Sequence, residues 1–379
     1  MAELTQPQSM LVIVGARPQF IKAAALHRAL KDRPQWEVRW LHTGQHHDEA
    51  LSEQFFQELG LPVPHVRLHP DTSSREKRLG DMMDGIRAAI EGQPPRWVVV
   101  FGDTDSTLAG AWAAAAKGIP IVHVEAGLRS HDWGMPEEVN RVLCDRMSSV
   151  LVCPTDAAVQ HLGAEGIVDS DPIHRPSPLH PRVLRMGDVM HDNALHFGST
   201  FGLGQASKGP VLLTMHRPSN VDDGPRLLKW LDAIQDWLQS RRLEVIWPVH
   251  PRTAQAMDLH RPDWRIDLSS KGWKLEKPLG YLELLQCIHA APLVLTDSGG
   301  VQKESFSLGT RCVVLRDSTE WTEQLERGQS VLAPGPKELS SLANEILGKG
   351  RHVPDELYGN GRAAEELVGA LERIAMRYG

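Results

Sequence analysis

Cysteine is scarce in this chain. The 379 residues contain four cysteines, and no two of them are spaced as a CxxC pair: Cys144, Cys153, Cys287 and Cys312. A disulfide framework is therefore not expected, and neither is a cysteine-based metal site. We expect buried free thiols in a reducing cytoplasm.

Long apolar runs and an excess of positive charge are also missing. No run approaches membrane-spanning length, and the opening residues, MAELTQPQSM, lack the core of a signal peptide. We therefore expect a cytoplasmic protein without membrane insertion. The net charge of -7 argues against a general nucleic-acid binder, although local basic groups can still hold an anionic ligand.

Several cofactor motifs are absent as well. No GxGxxG follows an apolar run, and the glycines of GLGQASKG at 202–209 are misplaced for that fingerprint. The chain contains no Walker loop, no HExxH and no cysteine–histidine set with metal spacing. Nothing in the sequence calls for a nicotinamide cofactor or a metal ion.

Short β-rich runs recur along both halves of the chain and alternate with helical patterns such as FIKAAALHRALK. Continuous apolar strands between amphipathic helices are typical of parallel sheets covered on both faces. The runs begin at Leu11, Val38, Trp97, Ile121, Val150, Val211, Glu244, Leu293, Cys312 and Ser330. Gly166 to Asn193 is rich in proline and reads as a connection with an exposed loop. We predict an α/β protein of two doubly wound, Rossmann-like domains, residues 1–186 and 187–360.

Polar residues cluster where the predicted strands end. Ligands in doubly wound sheets bind outside the carboxyl ends of the strands, so a cleft between the two domains is the expected site. The strand-end residues are Arg17, Gln45, Asp103, Glu125, His216, His250, Asp297 and Ser298.

The stretch LTDSGGVQKES, Leu295 to Ser305, predicts a strand, a glycine turn and a helix start. The turn of Ser298, Gly299 and Gly300 lets a ligand approach the backbone, and the helix N-terminus favours a phosphate or diphosphate. Glu304 can accept hydrogen bonds from ribose hydroxyls. The alternative is an ordinary turn with Ser298 as the N-cap.

Two further strand ends carry cations. GARPQFIK places Arg17 and Lys22 near a helix start, where positive charge opposes the helix dipole and suggests a bound anion or an acidic cluster. TMHRPSN places His216 and Arg217 at the end of the second domain's first strand. The alternatives are solvated surface charge and a structural histidine.

Three carboxylates are candidates for acid–base chemistry. Asp103 and Glu125 end strands, and Glu137 follows Pro136 in the first turn of a predicted helix. Partial burial and mutual repulsion suit such groups for proton transfer. Structural roles stay open: Asp103 as the cap of the following helix, and Glu125 as a partner of Arg129 or Arg141.

Nine ordered motifs resemble one known family. GARPQFIKAA, HTGQHHDE, FGDTDSTLAG, HVEAGLRS, MPEEVNR, MGDVMHD, MHRPSN, TDSGGVQKES and RDSTEW follow the order found in bacterial non-hydrolysing UDP-N-acetylglucosamine 2-epimerases. The forms GARPQF, QKES and TEW resemble a branch that includes UDP-2,3-diacetamido-2,3-dideoxyglucuronate 2-epimerases. The resemblance implies a GT-B fold, a final helix (361–379) that packs back on the first domain, a homodimer and no cofactor.

The resemblance also implies an activity: reversible 2-epimerisation of UDP-N-acetylglucosamine to UDP-N-acetylmannosamine, by elimination and re-addition of UDP. The alternatives are the diacetamido-glucuronate epimerase, a glycosyltransferase of the same fold, and a silent nucleotide-sugar sensor. The implied catalytic residues are Asp103, Glu125, Glu137 and His216. The implied substrate contacts are Arg17, Lys22, Gln45, Arg129, Arg217, His250, Ser298, Gly299, Gly300 and Glu304. Asp48 stands where the family's allosteric site has a glutamine, and Ser219 replaces the glutamate of the family's usual HRxEN motif. Both departures argue against activation by substrate.

Overall fold

The computed structural model describes residues 7–45, 49–201 and 209–378. It divides into two compact units. Unit 1 combines Met1–Asn193 with Asp355–Gly379, and unit 2 is Ala194–Pro354. Asp48 lies outside the described residues, so its predicted effect on activation stays a prediction.

Unit 1 alternates strands and helices along the chain. Its strands are β1 (Gln8–Val14), β2 (Trp36–His42), β3 (Val66–Arg67), β4 (Trp97–Phe101), β5 (Ile121–Val124), β6 (Val150–Cys153) and β7 (Arg182–Arg185). Its helices are α1 (Arg17–Leu30), α2 (Glu49–Glu58), α3 (Arg75–Gly92), α4 (Asp105–Ala116), α5 (Pro136–Met147), α6 (Asp156–Ala164), the start of α7 (Val189–Gly198) and, at the end of the chain, α16 (Ala363–Tyr378).

The seven strands form one parallel sheet in the order β3-β2-β1-β4-β5-β6-β7. Every residue of β4, β5 and β6 is buried, as continuous apolar strands covered on both faces should be. In the register, Val12 of β1 lies beside Trp40 of β2 and Val99 of β4. The strand order reverses between β1 and β4, which is where doubly wound sheets place their ligands.

Unit 2 repeats this plan. Its strands are β8 (Val211–Thr214), β9 (Val245–Pro248), β10 (Trp273–Glu276), β11 (Val294–Thr296), β12 (Cys312–Val314) and β13 (Ser330–Leu332). Its helices are α8 (Pro218–Val221), α9 (Gly224–Arg241), α10 (Pro251–His260), α11 (Trp264–Ser270), α12 (Tyr281–Ala290), α13 (Gly299–Ser307), α14 (Thr322–Glu326) and α15 (Leu339–Gly348).

The second sheet is parallel in the order β10-β9-β8-β11-β12-β13, so its strand order reverses between β8 and β11. Its core is rich in tryptophan, and five of these side chains are almost fully buried: Trp230, Trp237, Trp247, Trp264 and Trp273. Two Rossmann-like parallel sheets with helices between their strands confirm the predicted fold class.

Three of the strands were not predicted: β3, β7 and β10. The largest error concerns residues 166–193, interpreted as a connection, because β7 lies inside this segment and forms an edge of the first sheet. Its sequence, RVLR, is only partly buried and follows a proline, so it lacks the continuous apolar run of a central strand. Asp169 accepts a hydrogen bond from the Val183 N–H at 2.9 Å and thereby protects this edge.

Helix α16 belongs to unit 1 and packs against α1. The carboxylate of Glu372 accepts hydrogen bonds from Arg33, Gln35 and Trp36 at 2.7–3.0 Å. At the start of the helix, Asp192 accepts from the N–H groups of Ala363 and Ala364 at 3.1 and 2.9 Å. The units change at 193/194 and 354/355, whereas the sequence analysis places its boundaries after 186 and 360.

All four cysteines are free, three of them buried and Cys287 half-buried. Burial raises the pKa of the Cys153 and Cys312 thiols above the ordinary value, which keeps them protonated. Within the described part of the chain, no helix is both long and apolar enough to span a bilayer.

Candidate active site

The turn between β1 and α1 lies at the carboxyl ends of the strands in unit 1, next to the candidate site residues. The buried side chain of Gln19 accepts hydrogen bonds from the N–H groups of Gly15 and Ala16 at 2.8 and 3.2 Å. Its amide donates to the Phe101 carbonyl at 3.1 Å, which ties the turn to β4. Sequence analysis missed Gln19, although a glutamine at the third position of a helix that begins Arg-Pro is a capping signal.

Lys22 and Glu125 form a buried ion pair at the carboxyl ends of the strands. Lys22 Nζ donates to Glu125 Oε1 at 2.6 Å, and the two side chains are 7% and 8% exposed. Sequence analysis did not name Lys22 as a partner of Glu125. Arg141, one of the two partners it suggested, also interacts electrostatically with Glu125, whereas the ion pairs of Arg129 are with Asp145 and Glu165. Glu125 has a φ of 72°, an unfavourable backbone conformation for a residue with a Cβ. Such strain is typical of functional sites, where the surrounding structure holds it.

Asp103 lies at the end of the neighbouring strand and pairs with a different cation. Arg141 of α5 donates from Nη2 to Asp103 Oδ2, and its other nitrogen donates to Glu138 at 2.8 Å. Thr104, rather than Asp103, is the N-cap of α4, so the capping alternative for Asp103 is wrong. The Asp103 side chain is 26% exposed and remains accessible to a ligand.

Glu137 and Glu138 follow Pro136 in the first turn of α5, as the sequence predicted for Glu137. Adjacent helix positions point about 100° apart, and the two side chains differ accordingly. Glu137 is exposed, whereas Glu138 is buried and holds Arg141. The structure thus leaves Glu137 open to a ligand and makes Glu138 part of the framework.

Arg129 is buried rather than presented at the strand ends. Its guanidinium donates to Asp145 at 2.8 Å and to Glu165 at 2.6 Å. Asp145 also lies 2.8 Å from the buried ring of His123. Although burial opposes it, the two carboxylates raise the pKa of Arg129 above its ordinary value. This placement favours a structural role over the predicted substrate contact.

The two remaining predicted contacts of unit 1 are Gln45 and Arg17. Gln45 accepts from the N–H and hydroxyl groups of Ser106 at 2.9 and 2.6 Å, which fixes the end of β2 against α4. The Arg17 guanidinium lies 4.6 Å above the ring of Phe55 on α2. Both residues are half-buried at the carboxyl edge of the sheet.

In unit 2, His216 and Asp297 meet at the ends of the neighbouring strands β8 and β11. Asp297 is fully buried and accepts from the N–H groups of His216 and Arg217 at 2.9–3.1 Å. His216 Nδ1 lies 3.2 Å from the same carboxylate. Burial would raise the pKa of Asp297, but the His216 ring and these hydrogen bonds hold it below the ordinary value. Asp297 therefore stays ionised and orients His216.

Arg217 faces Glu320, a residue that sequence analysis did not assign. Arg217 Nη2 lies 3.7 Å from Glu320 Oε1, and Arg316 donates to the other oxygen at 3.0 Å. Glu320 Oε1 also lies 2.5 Å from the place that a Cβ would occupy on Gly299. A side chain at the first position of α13 would therefore displace the Glu320 carboxylate, and the sequence predicted close approach of a ligand at this same turn.

Ser298 occupies the N-cap position of α13, but its hydroxyl makes no capping hydrogen bond, so the alternative of an ordinary capped turn is not supported. Gly300 is half-buried in the first turn, and Glu304 is buried further along α13. His250 is exposed at the N-cap of α10, and its ring lies 5.3 Å from that of His216. Across the described residues, no group of three or more His, Cys, Asp and Glu side chains could hold a metal ion.

Comparison with known proteins decides the family. The sequence matches the family described as UDP-N-acetylglucosamine 2-epimerase over residues 28–372. The chain belongs to this family. It is 39% identical over 369 residues to the UDP-2,3-diacetamido-2,3-dideoxy-D-glucuronate 2-epimerase of Pseudomonas aeruginosa, with 96% of this chain and 99% of that protein covered. It is 36% identical to the UDP-N-acetylglucosamine 2-epimerase of Methanocaldococcus jannaschii, with 95% and 98% covered.

A solved structure of the epimerase family agrees with these relatives. The Methanocaldococcus jannaschii enzyme in complex with UDP-GlcNAc and UDP superposes with a TM-score of 0.82 at 33% identity, covering 97% of this chain and all of that one. The predicted family, its GT-B fold and an epimerase activity are confirmed. The glycosyltransferase alternative receives no support from these relatives.

Proposed function

We propose that the protein interconverts UDP-N-acetylglucosamine and UDP-N-acetylmannosamine by inverting carbon 2 of the sugar. A carboxylate removes the proton from carbon 2 while the bond from carbon 1 to the diphosphate oxygen breaks, giving 2-acetamidoglucal and UDP. UDP then adds back to carbon 1, and a second acidic group delivers a proton to the opposite face of carbon 2. The reaction is redox-neutral and needs no co-reactant.

The observation that carries this proposal is that two strand-end carboxylates in unit 1 have separate cationic partners. Asp103 pairs with Arg141 and Glu125 with Lys22. The two acids therefore stand in different surroundings, which suits groups that give and take a proton in one reaction. Glu137, exposed at the start of α5, is the third candidate.

Unit 2 supplies groups suited to UDP. The start of α13 offers N–H groups and a positive dipole end, and Ser298, Gly299 and Gly300 line it. His216 and Arg217 follow the neighbouring strand and would stabilise the departing diphosphate. Preorganised contacts of this kind contribute on the order of several kcal/mol to catalysis. Glu304 would accept from the ribose.

A second substrate has its own support. The relative from Pseudomonas aeruginosa, 39% identical to this chain, is named for the 2,3-diacetamido-glucuronate. The same elimination and re-addition would epimerise that sugar, so we propose it as the alternative substrate at the same site.

The test is incubation of the protein with each UDP-sugar in heavy water, followed by NMR. We expect deuterium at carbon 2 and formation of the manno epimer from the true substrate. Asp103→Asn, Glu125→Gln, Glu137→Gln and His216→Asn should each abolish epimer formation, and a variant that still eliminates will release 2-acetamidoglucal and UDP. Asp84→Asn, an exposed change on α3, is the control. No exchange with either sugar would refute the activity.

The homodimer implied by the family resemblance is also a proposal. It is supported by two large apolar side chains on the packed helices α4 and α5: Trp112 and Leu143 are 55% and 45% exposed. Light scattering after gel filtration should give twice the chain mass, and Trp112→Glu should shift the protein toward the monomer. A monomeric wild-type chain would contradict it.

A further inference from the structure

The loop between β5 and α5 has a strained backbone. Two residues with side chains adopt left-handed conformations there: Glu125 with φ 72° and His131 with φ 59°. Such residues persist where the surrounding structure holds them, and they cluster at functional sites. The loop begins at one proposed catalytic residue and leads to another, Glu137, so its shape sets where both stand.

One buried carboxylate, Glu138, holds this loop. Its Oε2 accepts from the N–H and hydroxyl groups of Ser130 at 2.8 and 2.9 Å, and its Oε1 accepts from the N–H of His131 at 2.9 Å. Glu138 is only 2% exposed. Burial alone would raise the pKa of Glu138, but these hydrogen bonds and Arg141 hold it below the ordinary value, so the group is ionised. An ionised acceptor makes the stronger kind of hydrogen bond.

The same carboxylate also reaches Asp103 through one arginine. Arg141 donates to Glu138 at 2.8 Å and to Asp103 with its other terminal nitrogen. The Arg141 side chain is 9% exposed, so water screens this charge little. Glu138, which holds the loop, and Asp103, which is proposed to transfer a proton, thus share one buried guanidinium.

We propose that Glu138 is a positioning residue of this enzyme, which holds the β5–α5 loop and shares Arg141 with Asp103. The consequence for catalysis rests on the proposed function, because Asp103, Glu125 and Glu137 are its proton-transfer groups. In this role Glu138 acts through its contacts with Ser130, His131 and Arg141.

The charged and titratable groups around Glu138, Arg141 and Asp103 lie on five elements besides α5, and on the β5–α5 loop. They are Lys22 on α1, Arg75 and Arg78 on α3, Asp105 on α4, His123 on β5, His161 on α6, the loop residues Glu125, His131 and Asp132, and Glu137, Cys144 and Asp145 on α5 itself. None of these residues is substituted in a Glu138 variant. Because both variants alter the hold on the loop and only Glu138→Gln removes the charge, a change in pH dependence confined to Glu138→Gln can be assigned to the charge at position 138.

Two variants separate the charge of Glu138 from its geometry. Glu138→Gln keeps the shape and removes the charge, whereas Glu138→Asp keeps the charge and shortens the reach. Glu91→Gln, a half-exposed residue on α3, is the control for loss of one negative charge. We expect hydrogen exchange at the Ser130 and His131 amides to rise at least about tenfold in both Glu138 variants, with the core strands unaffected.

Turnover provides the second arm. Both Glu138 variants should lose kcat by about ten- to a hundredfold with a smaller change in KM, because the carboxylates are misplaced. In Glu138→Gln, the positive charge of Arg141 is no longer shared between Asp103 and an ionised Glu138. One limb of the pH–rate profile should therefore move to lower pH by about half a unit, and Glu138→Asp should keep the wild-type profile.

Wild-type kcat with wild-type exchange in Glu138→Gln overturns the proposal. Loss of kcat without movement of the pH profile overturns it too, since a residue that only stabilises the fold would give that result. If Glu138→Gln does not fold, Ser130→Ala decides, because it removes one donor and no charge. Faster exchange at position 131 and a two- to fivefold loss of kcat, about the effect of one weakened contact, support the proposal, and unchanged values overturn it. A wild-type chain that turns over no UDP-sugar refutes the proposed function, and the exchange arm still tests the hold on the loop.

Discussion

At the scale of single residues, the Lys22–Glu125 pair is the clearest charged contact of the site. The two groups are nearly excluded from water, so removing Lys22 takes this ion pair away from a buried carboxylate. Its position next to Asp103 makes it part of the proposed proton-transfer machinery as well as of the fold.

Lys22→Ala should therefore lower the free energy of unfolding by about 3–5 kcal/mol, the usual cost of breaking a buried ion pair. Lys274→Ala, which breaks a pair with Glu244 between exposed side chains, is the control and should leave the unfolding curve unchanged. Urea titrations of the three proteins would measure this. Equal curves for wild type and Lys22→Ala would show that the pair contributes nothing.

Sequence identified the charged residues of the site more readily than their partners. Asp103, Glu125 and His216 stand at strand ends because the apolar runs before them end there, which the pattern shows. That Glu125 pairs with Lys22 depends on how α1 packs over the sheet, a contact between residues far apart in the chain. Residue spacing carries no such information, and for the same reason Glu138 and Glu320 were missed.

At the scale of elements, the β1–α1 turn is built around a glycine that has no room for a side chain. A Cβ on Gly15 would lie 1.9 Å from Thr43 Oγ1 and 2.2 Å from Ser106 Oγ. The turn, the end of β2 and the start of α4 are thus packed directly against one another.

Gly15→Ala should destabilise the protein by about 1–3 kcal/mol, as overpacking of an interior does. Gly80→Ala is the matched control, because Gly80 is exposed inside α3 with nothing near its Cβ position. That change should stabilise the helix by about 0.5–1 kcal/mol. Thermal unfolding of the two variants should therefore shift in opposite directions, and shifts of the same sign would contradict the packing described.

The start of α16 should respond to pH. Burial raises the pKa of Asp192 to about 6, against the hydrogen bonds from Ala363 and Ala364 that lower it. Because the folded pKa lies above the unfolded one, this contribution to stability is present below about pH 4 and is lost as the pH rises through 6.

Relative to Asp192→Asn, whose amide does not titrate, wild type should lose up to about 3 kcal/mol of unfolding free energy between pH 4 and pH 7. Urea titrations at both pH values would show it. A difference between the two proteins that does not change with pH would argue that Asp192 titrates at its ordinary value.

At the scale of the whole molecule, the chain is two Rossmann-like units, one of them built from both ends of the sequence. The fold class could be predicted because ten of the strands are apolar runs separated by helical patterns. The strands that were missed have two to four residues and lie outermost in their sheets, where polar side chains replace the apolar run. The packing of the last helix on the first domain could be predicted only from the family resemblance, since an amphipathic pattern does not show which element a helix packs against.

Unit 2 is continuous, so a fragment of residues 194–354 should fold alone and unfold cooperatively, as circular dichroism would show. A chain that stops at residue 354 should keep this unit and lose the stability of unit 1, because α16 buries Leu367, Val368 and Leu371 there. Limited proteolysis should then cut residues 1–193 first. Equal resistance of both units would contradict the division.

The split composition of unit 1 has a consequence during synthesis. A ribosome makes residues 1–193 first, yet α16, the helix that completes their hydrophobic layer, is made only after all of unit 2. Unit 2 is complete before α16 is made. Unit 2 should therefore finish folding before unit 1, and α1 would stay uncovered during most of translation on the side that α16 later occupies.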